Sequence, residues 1–299
     1  MIEFKSITLE DKPIIDKLLE GNTYRASECC FSNLYGWSHK FNTQFAVWND
    51  FLLIKFTRAA GECSYLAPFG KGDVKGAIDT LFSDCNCIDK FELSGVTENM
   101  WQKIDVVLPG VFQRISTSEC YDYIYTSEKL IHLKGKKLQS KRNHINRFKK
   151  ENREWKYISL NEQPEMLTGC KKMLEEWYKI NLETSDNSLK YDFATTARFI
   201  NDFQALGLRG GAIVVNDSIV AFSMGTRLSN DTFIVHVEKA FSEVQGAYAI
   251  INQQFVENEA SQFTYINRED DMGLASLRKA KMSYHPDILL VKDSLKYTR

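Results

Sequence analysis

The stretch Glu238-Lys239-Ala240-Phe241-Ser242-Glu243-Val244-Gln245-Gly246-Ala247-Tyr248 holds two groups suited to transfer chemistry, a carboxylate closing an apolar run and a glycine before a helix. An acceptor amine arrives protonated near neutral pH, so acyl transfer needs a base within hydrogen-bond reach, and Glu238 can serve. The alternative is a salt bridge to Lys239 or Arg268, a common fate for an acid on a sheet edge. His236 alternates onto the same strand face as Glu238 and could support it, although a strand histidine is more often a hydrogen-bonded core residue. Gly246 sits where a strand turns into a helix, and such a glycine lets free backbone N–H groups point at a pyrophosphate or a pantetheine arm. The alternative is an ordinary turn that needs glycine for its dihedral angle.

A second chemistry is electrostatic. Lys134, Lys136, Lys137, Lys141, Arg142, Arg147, Lys149, Lys150 and Arg153 follow one another with Glu151 as the sole acid, in a chain whose net charge is −1. A field that favours anions depends on such local excess rather than on the total. Leu138, Ile145 and Phe148 give the segment one apolar stripe, with Arg142 near Leu138 and Ile145. The expected helix packs by that stripe and turns Lys137, Lys141, His144 and Lys149 to the polar side. Lys137, Lys141, Arg142 and Arg147 are therefore candidate polyanion-binding residues, for phosphates of RNA, lipid or nucleotide. A solvated connecting helix is the alternative. The segment lacks interleaved aromatics, so sequence-specific RNA reading is not indicated. Among the seven cysteines, Cys29-Cys30 and Cys85-Asn86-Cys87 lack the paired spacing of a zinc site, so reduced thiols and no metal are expected.

These groups must be positioned by a large folded scaffold. The 299 residues are 43% hydrophobic and 26% charged, which favours two domains. No apolar run approaches the roughly 20 residues of a membrane span, and the start lacks a signal-peptide profile, so the expected location is the cytoplasm. Periodicity predicts strands at 4–9, 45–48, 51–57, 65–68, 91–94 and 121–125, with helices at 11–20, 27–38 (capped by Ser27), 73–82 and 98–107. The second half gives a strand at 155–160, helices at 163–181 and 192–206, strands at 212–215, 219–228 and 232–238, a helix at 246–260, a strand at 263–266, a helix at 273–282 and a strand at 288–292. Asn49-Asp50 and Asn216-Asp217 fall at the same point of each half as hairpin turns. We read a duplicated α+β unit divided into residues 1–128 and 129–299, the latter opening with the basic helix.

The order of three strands, a glycine turn, a helix, a strand and a helix resembles the C-terminal half of a GCN5-related N-acetyltransferase. In that family a Q/R-x-x-G-x-G/A turn cradles coenzyme A; here Glu243 takes the first position, Gly246 matches the glycine and Tyr248 replaces the last small residue. The resemblance implies coenzyme A or acyl-CoA contacts at Val237, Lys239, Val244, Gln245, Gly246, Ala247, Tyr248 and Asn267. It also implies that Asn267 faces the pantetheine and that Tyr284 protonates the leaving group, making Glu238, Asn267 and Tyr284 the catalytic set. Tyr284 could equally be an aromatic closing its helix onto the core.

The runs Gly135-Lys136-Lys137-Leu138 with Lys141-Arg142-Asn143, Glu238-Lys239-Ala240, Gln245-Gly246-Ala247-Tyr248 and Ile266-Asn267-Arg268-Glu269-Asp270-Asp271 resemble an uncharacterised bacterial family. That family is related to the C-terminal catalytic domain of phosphatidylglycerol lysyltransferase. The resemblance extends from Ser27-Glu28-Cys29-Cys30-Phe31 onward. It implies two tandem acetyltransferase-like domains, each a mixed, mostly antiparallel sheet flanked by helices, as in the Fem-type aminoacyltransferases. Such enzymes move an amino acid from aminoacyl-tRNA to an amine or hydroxyl acceptor. The expectation is an acyltransferase acting on a small-molecule or peptide acceptor, with the donor bound at the Gly246 turn if it is a thioester and at the basic helix if it is aminoacyl-tRNA. A non-catalytic protein that holds a phosphate-bearing ligand or partner on the same scaffold is the alternative.

Overall fold

The computed structural model describes residues 2–21, 23–58, 61–182 and 188–298. In chain order the first elements are β1 (Lys5–Ser6), α1 (Lys12–Leu19), α2 (Phe31–Gly36), α3 (Ser38–Phe41), β2 (Gln44–Trp48), β3 (Phe51–Thr57), β4 (Cys63–Leu66), β5 (Phe69–Gly70), α4 (Val74–Asp84), β6 (Glu92–Val96), α5 (Glu98–Val107) and β7 (Phe112–Ser116). There follow β8 (Asp122–Thr126), α6 (Ser127–His132), α7 (Gln139–Glu151), β9 (Lys156–Ser159), α8 (Leu167–Asn181), α9 (Ser188–Asn201), β10 (Arg209–Val215), β11 (Ser218–Arg227) and β12 (Thr232–Ala240). The last are α10 (Ala247–Glu259), β13 (Tyr265–Asn267), α11 (Ala275–Met282), β14 (Ile288–Leu290) and β15 (Asp293–Tyr297).

The chain divides into two compact units, one of residues 1–122, 270–278 and 289–299, the other of residues 123–269 and 279–288. The first carries a sheet ordered β1-β2-β3-β4-β6-β15-β7, with β5 beside β3. Its pairs are antiparallel except β4 with β6, which flank α4 in sequence. The second carries a sheet ordered β14-β8-β13-β12-β11-β10-β9. Here too one pair is parallel, β12 with β13, and these flank α10. The fold is α+β, a mixed and mostly antiparallel sheet with helices, repeated twice. Asn49, Asn216 and Asp217 all take positive φ in the hairpin turns, a conformation that Asn and Asp tolerate better than other side chains.

The units do not follow the expected division at residue 128. The strand at 122–126, assigned to the first half, lies in the second sheet between β14 and β13, whereas the C-terminal β15 lies in the first sheet between β6 and β7. Strand β15 and its partner β7 were both missing from the periodicity. Their burial is intermittent, with Asp293 and Leu295 buried and Lys296 exposed on β15, so neither shows a long apolar alternation.

A second correction concerns the helix expected over 27–38. Cys30 is extended at φ −140°, and the segment breaks into a 3-10 turn followed by α2 and α3. Ser27 caps nothing. Its N–H and hydroxyl donate to the two oxygens of buried Asp122, and its hydroxyl accepts from Lys292 Nζ at 2.9 Å.

In the second unit α10 buries eight of its thirteen residues, the polar Asn252 and Glu259 among them. Ala247, Ile250, Ile251, Phe255 and Val256 are buried with Phe233, Ile266, Tyr125, Ile145 and Phe148 in one cluster. Each large side chain so removed from water contributes about 1.5–3 kcal/mol, which fixes α10, α7 and β12 relative to one another. No helix among the described residues is long and apolar enough to cross a membrane.

Candidate active site

Strand β12 carries the site, and an irregularity in it sets which side chains meet. Met224 opposes Val237 and the next residue, Gly225, opposes Val235, so His236 is an extra residue in the register of β12 against β11. A bulge of this kind reverses the alternation of side chains beyond it. His236 and Glu238 therefore do not share a face, contrary to the strict alternation. The His236 ring packs 5.2 Å from Phe199 of α9, and its Nδ1 is 2.8 Å from Glu269 Oε1. Glu238 instead reaches α10, where Asn252 Nδ2 donates to its Oε2 at 2.9 Å.

Pairing between β12 and β13 runs only over Thr232–Ile234 and Tyr265–Asn267, so β12 continues past the end of its parallel neighbour. Arg268, the residue after β13, lies beside Glu238, and its Nη2 donates to Glu238 Oε1 at 2.8 Å. The Arg268 side chain is 9% exposed and that of Glu238 14%. Arg268 lies 5.0 Å from the Tyr284 ring centroid and 5.7 Å from that of Tyr125. Lys141 Nζ, from α7, lies 4.1 Å from the Tyr284 centroid. The result is a mostly enclosed group of one carboxylate and two cations around an aromatic ring.

Charge in this group is tuned by burial. Burial works against the Arg268 charge, yet Glu238 with Tyr125 and Tyr284 holds its pKa above the ordinary arginine value. Burial, and then the neighbouring Arg268, pushes the Lys141 pKa down, with Glu238 acting in the opposite sense. Burial raises the Tyr284 pKa far out of the physiological range, so its phenol stays protonated.

The backbone after β13 is built to hold Arg268. Asn267 is fully buried, and its side-chain oxygen accepts from the Glu269 N–H at 2.6 Å, fixing a turn in which Glu269 takes positive φ. Lys281 Nζ donates to the carbonyl oxygens of Arg268 and Glu269 at 2.6 and 3.3 Å. Asn267 thus has its oxygen committed to the loop. Tyr284 is 5% exposed within the apolar cluster, T-shaped against Tyr125.

The glycine turn has a structural occupant. Gly246 has φ +85°, and a β-carbon there would press on the His144 carbonyl of α7 and lie 3.0 Å from Phe148 Cβ. The helix α7 backbone thus packs into the space that the missing side chain leaves. The Ala247 N–H is taken by the Val244 carbonyl at 3.0 Å. Gln245 is exposed and Ala247 buried. Tyr248 is partly exposed, its hydroxyl 3.3 Å from Trp177 Nε1. On the opposite sheet face from Glu238, Lys239 is buried against Asp192 at 2.5 Å and lies 4.2 Å from the Trp177 ring centroid. Val237 is buried, and its carbonyl accepts from Ser223 at 2.7 Å.

The basic helix also differs from its expected form. Leu138, Ile145 and Phe148 are buried as the stripe required. Lys141, expected on the outer polar side, turns inward over Tyr284. Arg142 donates to the Leu133 and Gly135 carbonyls and so holds the preceding turn together. Arg147 pairs with Glu151 one helical turn on, and Lys137 is exposed. Of the sequence candidates, the structure thus brings together Glu238, Tyr284 and Lys141, joined by Arg268, Asn252 and Tyr125, which motif reasoning missed as site residues. Asn252 opens the amide run Asn252-Gln253-Gln254, so no local pattern singled it out.

Two α+β units, each with one parallel strand pair flanking a helix, thus repeat one plan, and the second holds this group. The chain belongs to the family described as phosphatidylglycerol lysyltransferase, C-terminal, which its residues 22–292 match. A conserved protein of unknown function from Bacteroides thetaiotaomicron is 38% identical, with a TM-score of 0.92 over 100% of both chains. The C-terminal domain of a protein described as a lysylphosphatidylglycerol synthetase from Agrobacterium fabrum has a TM-score of 0.63 at 9% identity, covering 97% of this chain and 91% of that one. An uncharacterised protein of Mycoplasmoides gallisepticum is 27% identical over 226 residues, 73% of this chain and 67% of its own.

Proposed function

We propose that the protein is an aminoacyltransferase that moves an amino acid from aminoacyl-tRNA to an amine or hydroxyl acceptor. The observation that carries this reading is Glu238, paired to Arg268 where β12 runs on past the end of β13. Glu238 keeps lone pairs beyond its bonds to Asn252 and Arg268, and it can take a proton from the acceptor nucleophile. That nucleophile forms a bond to the ester carbonyl carbon, the ester C–O bond to the tRNA ribose breaks, and Glu238 returns the proton to the leaving ribose oxygen. Asn267 and Tyr284 serve as positioning residues in this scheme, the first by fixing the turn that carries Arg268 and the second by its ring beneath Arg268 and Lys141.

The choice of donor rests on Gly246. A pyrophosphate cradle needs open space at the glycine and free amides, and here α7 packs on the glycine while the Ala247 N–H is already bonded. Both features favour an aminoacyl ester over coenzyme A. Lys137, in the 3-10 turn before α7, and Arg147, on α7, are exposed and suited to tRNA phosphates.

The test is single-turnover loss of a labelled aminoacyl ester in the presence of an amine or hydroxyl acceptor, with acetyl-CoA assayed in parallel. Glu238→Gln should slow transfer about 10²–10⁴-fold while leaving tRNA affinity unchanged. Transfer from acetyl-CoA but not from aminoacyl-tRNA would overturn the donor assignment. Ligand binding with no transfer from either would favour a non-catalytic binding protein.

A further inference from the structure

The hydroxyl of Tyr248 sits on the edge of β12 that β13 leaves uncovered. The Phe241 N–H donates to the Val220 carbonyl at 3.0 Å, so the preceding residue, Ala240, which opposes Ala221, falls at a non-bonded position of the β11–β12 ladder. Its N–H therefore points away from β11, to the edge that β13 no longer covers beyond Asn267. That N–H donates to the Tyr248 hydroxyl. Trp177 Nε1, a group that can only donate, does the same from 3.3 Å. Both lone pairs of the phenol oxygen are thus taken by donors, and its own proton has no acceptor among the described residues. Tyr248 is 40% exposed, so this edge is reached from solvent along its ring. Burial at the hydroxyl raises its pKa, Trp177 and Ala240 act in the opposite sense, and Glu238 and Asp192 raise it further, so the phenol keeps its proton at neutral pH.

We infer that Tyr248 is a further catalytic residue, whose hydroxyl donates a hydrogen bond to the oxyanion formed when the acceptor adds to the acyl carbon, an inference that rests on the transferase reading above. As the nucleophile bonds to that carbon, the carbonyl π pair moves onto oxygen, and the Tyr248 O–H meets the charge that develops there. When the ester C–O bond to the ribose breaks, the pair returns to the carbonyl and Glu238 delivers the proton to the ribose oxygen. Tyr248 ends the cycle with its own proton. A donor fixed in advance by two other hydrogen bonds stabilises the oxyanion without reorganising during the reaction. Tyr248 lies in the first turn of α10, and Asn252, which bonds Glu238, lies one turn further on the same side. One helix thus places both the oxyanion donor and the amide that orients the base.

The experiment compares wild type and Tyr248→Phe in single-turnover transfer from tRNA charged with labelled amino acids. The variant keeps the ring, so transfer should slow about 10²–10³-fold with little change in tRNA affinity. Trp177→Phe keeps the hydroxyl but removes one of the donors that orient it, and should slow transfer by less, about tenfold. Calorimetry adds a readout that needs no turnover. It uses two analogues of a glycyl ester at the tRNA terminus: adenosine with a 3′-glycylamide, planar at the acyl carbon, and adenosine with a 3′-aminomethylphosphonate, tetrahedral with a charged oxygen. Wild type should prefer the phosphonate, and Tyr248→Phe should lose about tenfold or more of that preference, the loss of one charge-assisted bond. Unchanged transfer or an unchanged preference in Tyr248→Phe overturns the inference and leaves the hydroxyl as a structural partner of Ala240 and Trp177, which a lowered melting temperature alone would report. Binding of neither analogue by wild type overturns it as well. A preference that Tyr248→Phe loses, with no transfer by wild type, upholds the role of the hydroxyl and falls on the transferase reading alone.

Discussion

A carboxylate held between an amide and a guanidinium is constrained in orientation, and Glu238 is held in that way by Asn252 and Arg268. The pair is nearly enclosed, so its two members depend on each other. Removing one partner of a buried pair typically costs about 3–5 kcal/mol, whereas replacing both with apolar residues is often close to neutral. Arg268→Met should therefore cost about that much in urea denaturation, and the double variant with Glu238→Leu should cost clearly less than the sum of the single changes. Additivity within about 0.5 kcal/mol would mean that the two side chains do not interact. The sequence offered this pairing as the ordinary fate of Glu238. It could not show that Lys141 joins them, because a helical wheel puts Lys141 on the polar side while Tyr284 comes from a distant helix end.

At the scale of elements, two local irregularities shape the site. The extra residue in β12 sends His236 to the α9 face and Glu238 to the α10 face, so one bulge separates two groups that strict alternation would join. The contact of α7 with the start of α10 depends on Gly246. A side chain there would need the left-handed backbone, about 1–2 kcal/mol unfavourable for an L-residue, and would also press on the His144 carbonyl. Gly246→Ala should thus destabilise the protein by at least about 2 kcal/mol in thermal or urea unfolding. Loss of ligand affinity at unchanged stability would instead support a cradle role for the turn. A glycine at a strand-to-helix junction reads identically in sequence for both roles, since what differs is the helix packed against it.

For the whole molecule, buried ionisable groups set the pH range of stability. Burial pushes the Cys170 thiol up to about 12. Burial likewise raises the pKa values of Cys29, Tyr125, Tyr157 and Tyr284. Below about pH 8 folded and unfolded chains both keep these protons, so they do not affect stability. Above about pH 9 the unfolded chain releases them first, the folded state binds more protons, and stability falls as pH rises. Lys292 acts in the same direction. Burial opposes its charge, but Asp122, Glu28 and Asp270 hold its pKa well above the ordinary lysine value. Its stabilisation is complete below about pH 10 and is lost as pH rises through the folded value. Melting temperatures should be level to about pH 8 and fall between about pH 9 and 11, with a shallower fall for Cys170→Ala. A level profile to pH 11 would contradict this. The sequence by itself determined the two-unit α+β plan, the Asn-Asp hairpins and the buried stripe of α7, because apolar period and turn chemistry are local properties of the chain. Only the tertiary structure decided that β8 joins the second sheet and β15 the first, that α7 fills the space at Gly246, and that Arg268, Lys141 and Tyr284 gather at Glu238. Those outcomes depend on strand pairing and side-chain burial between residues far apart in sequence, which no local pattern records.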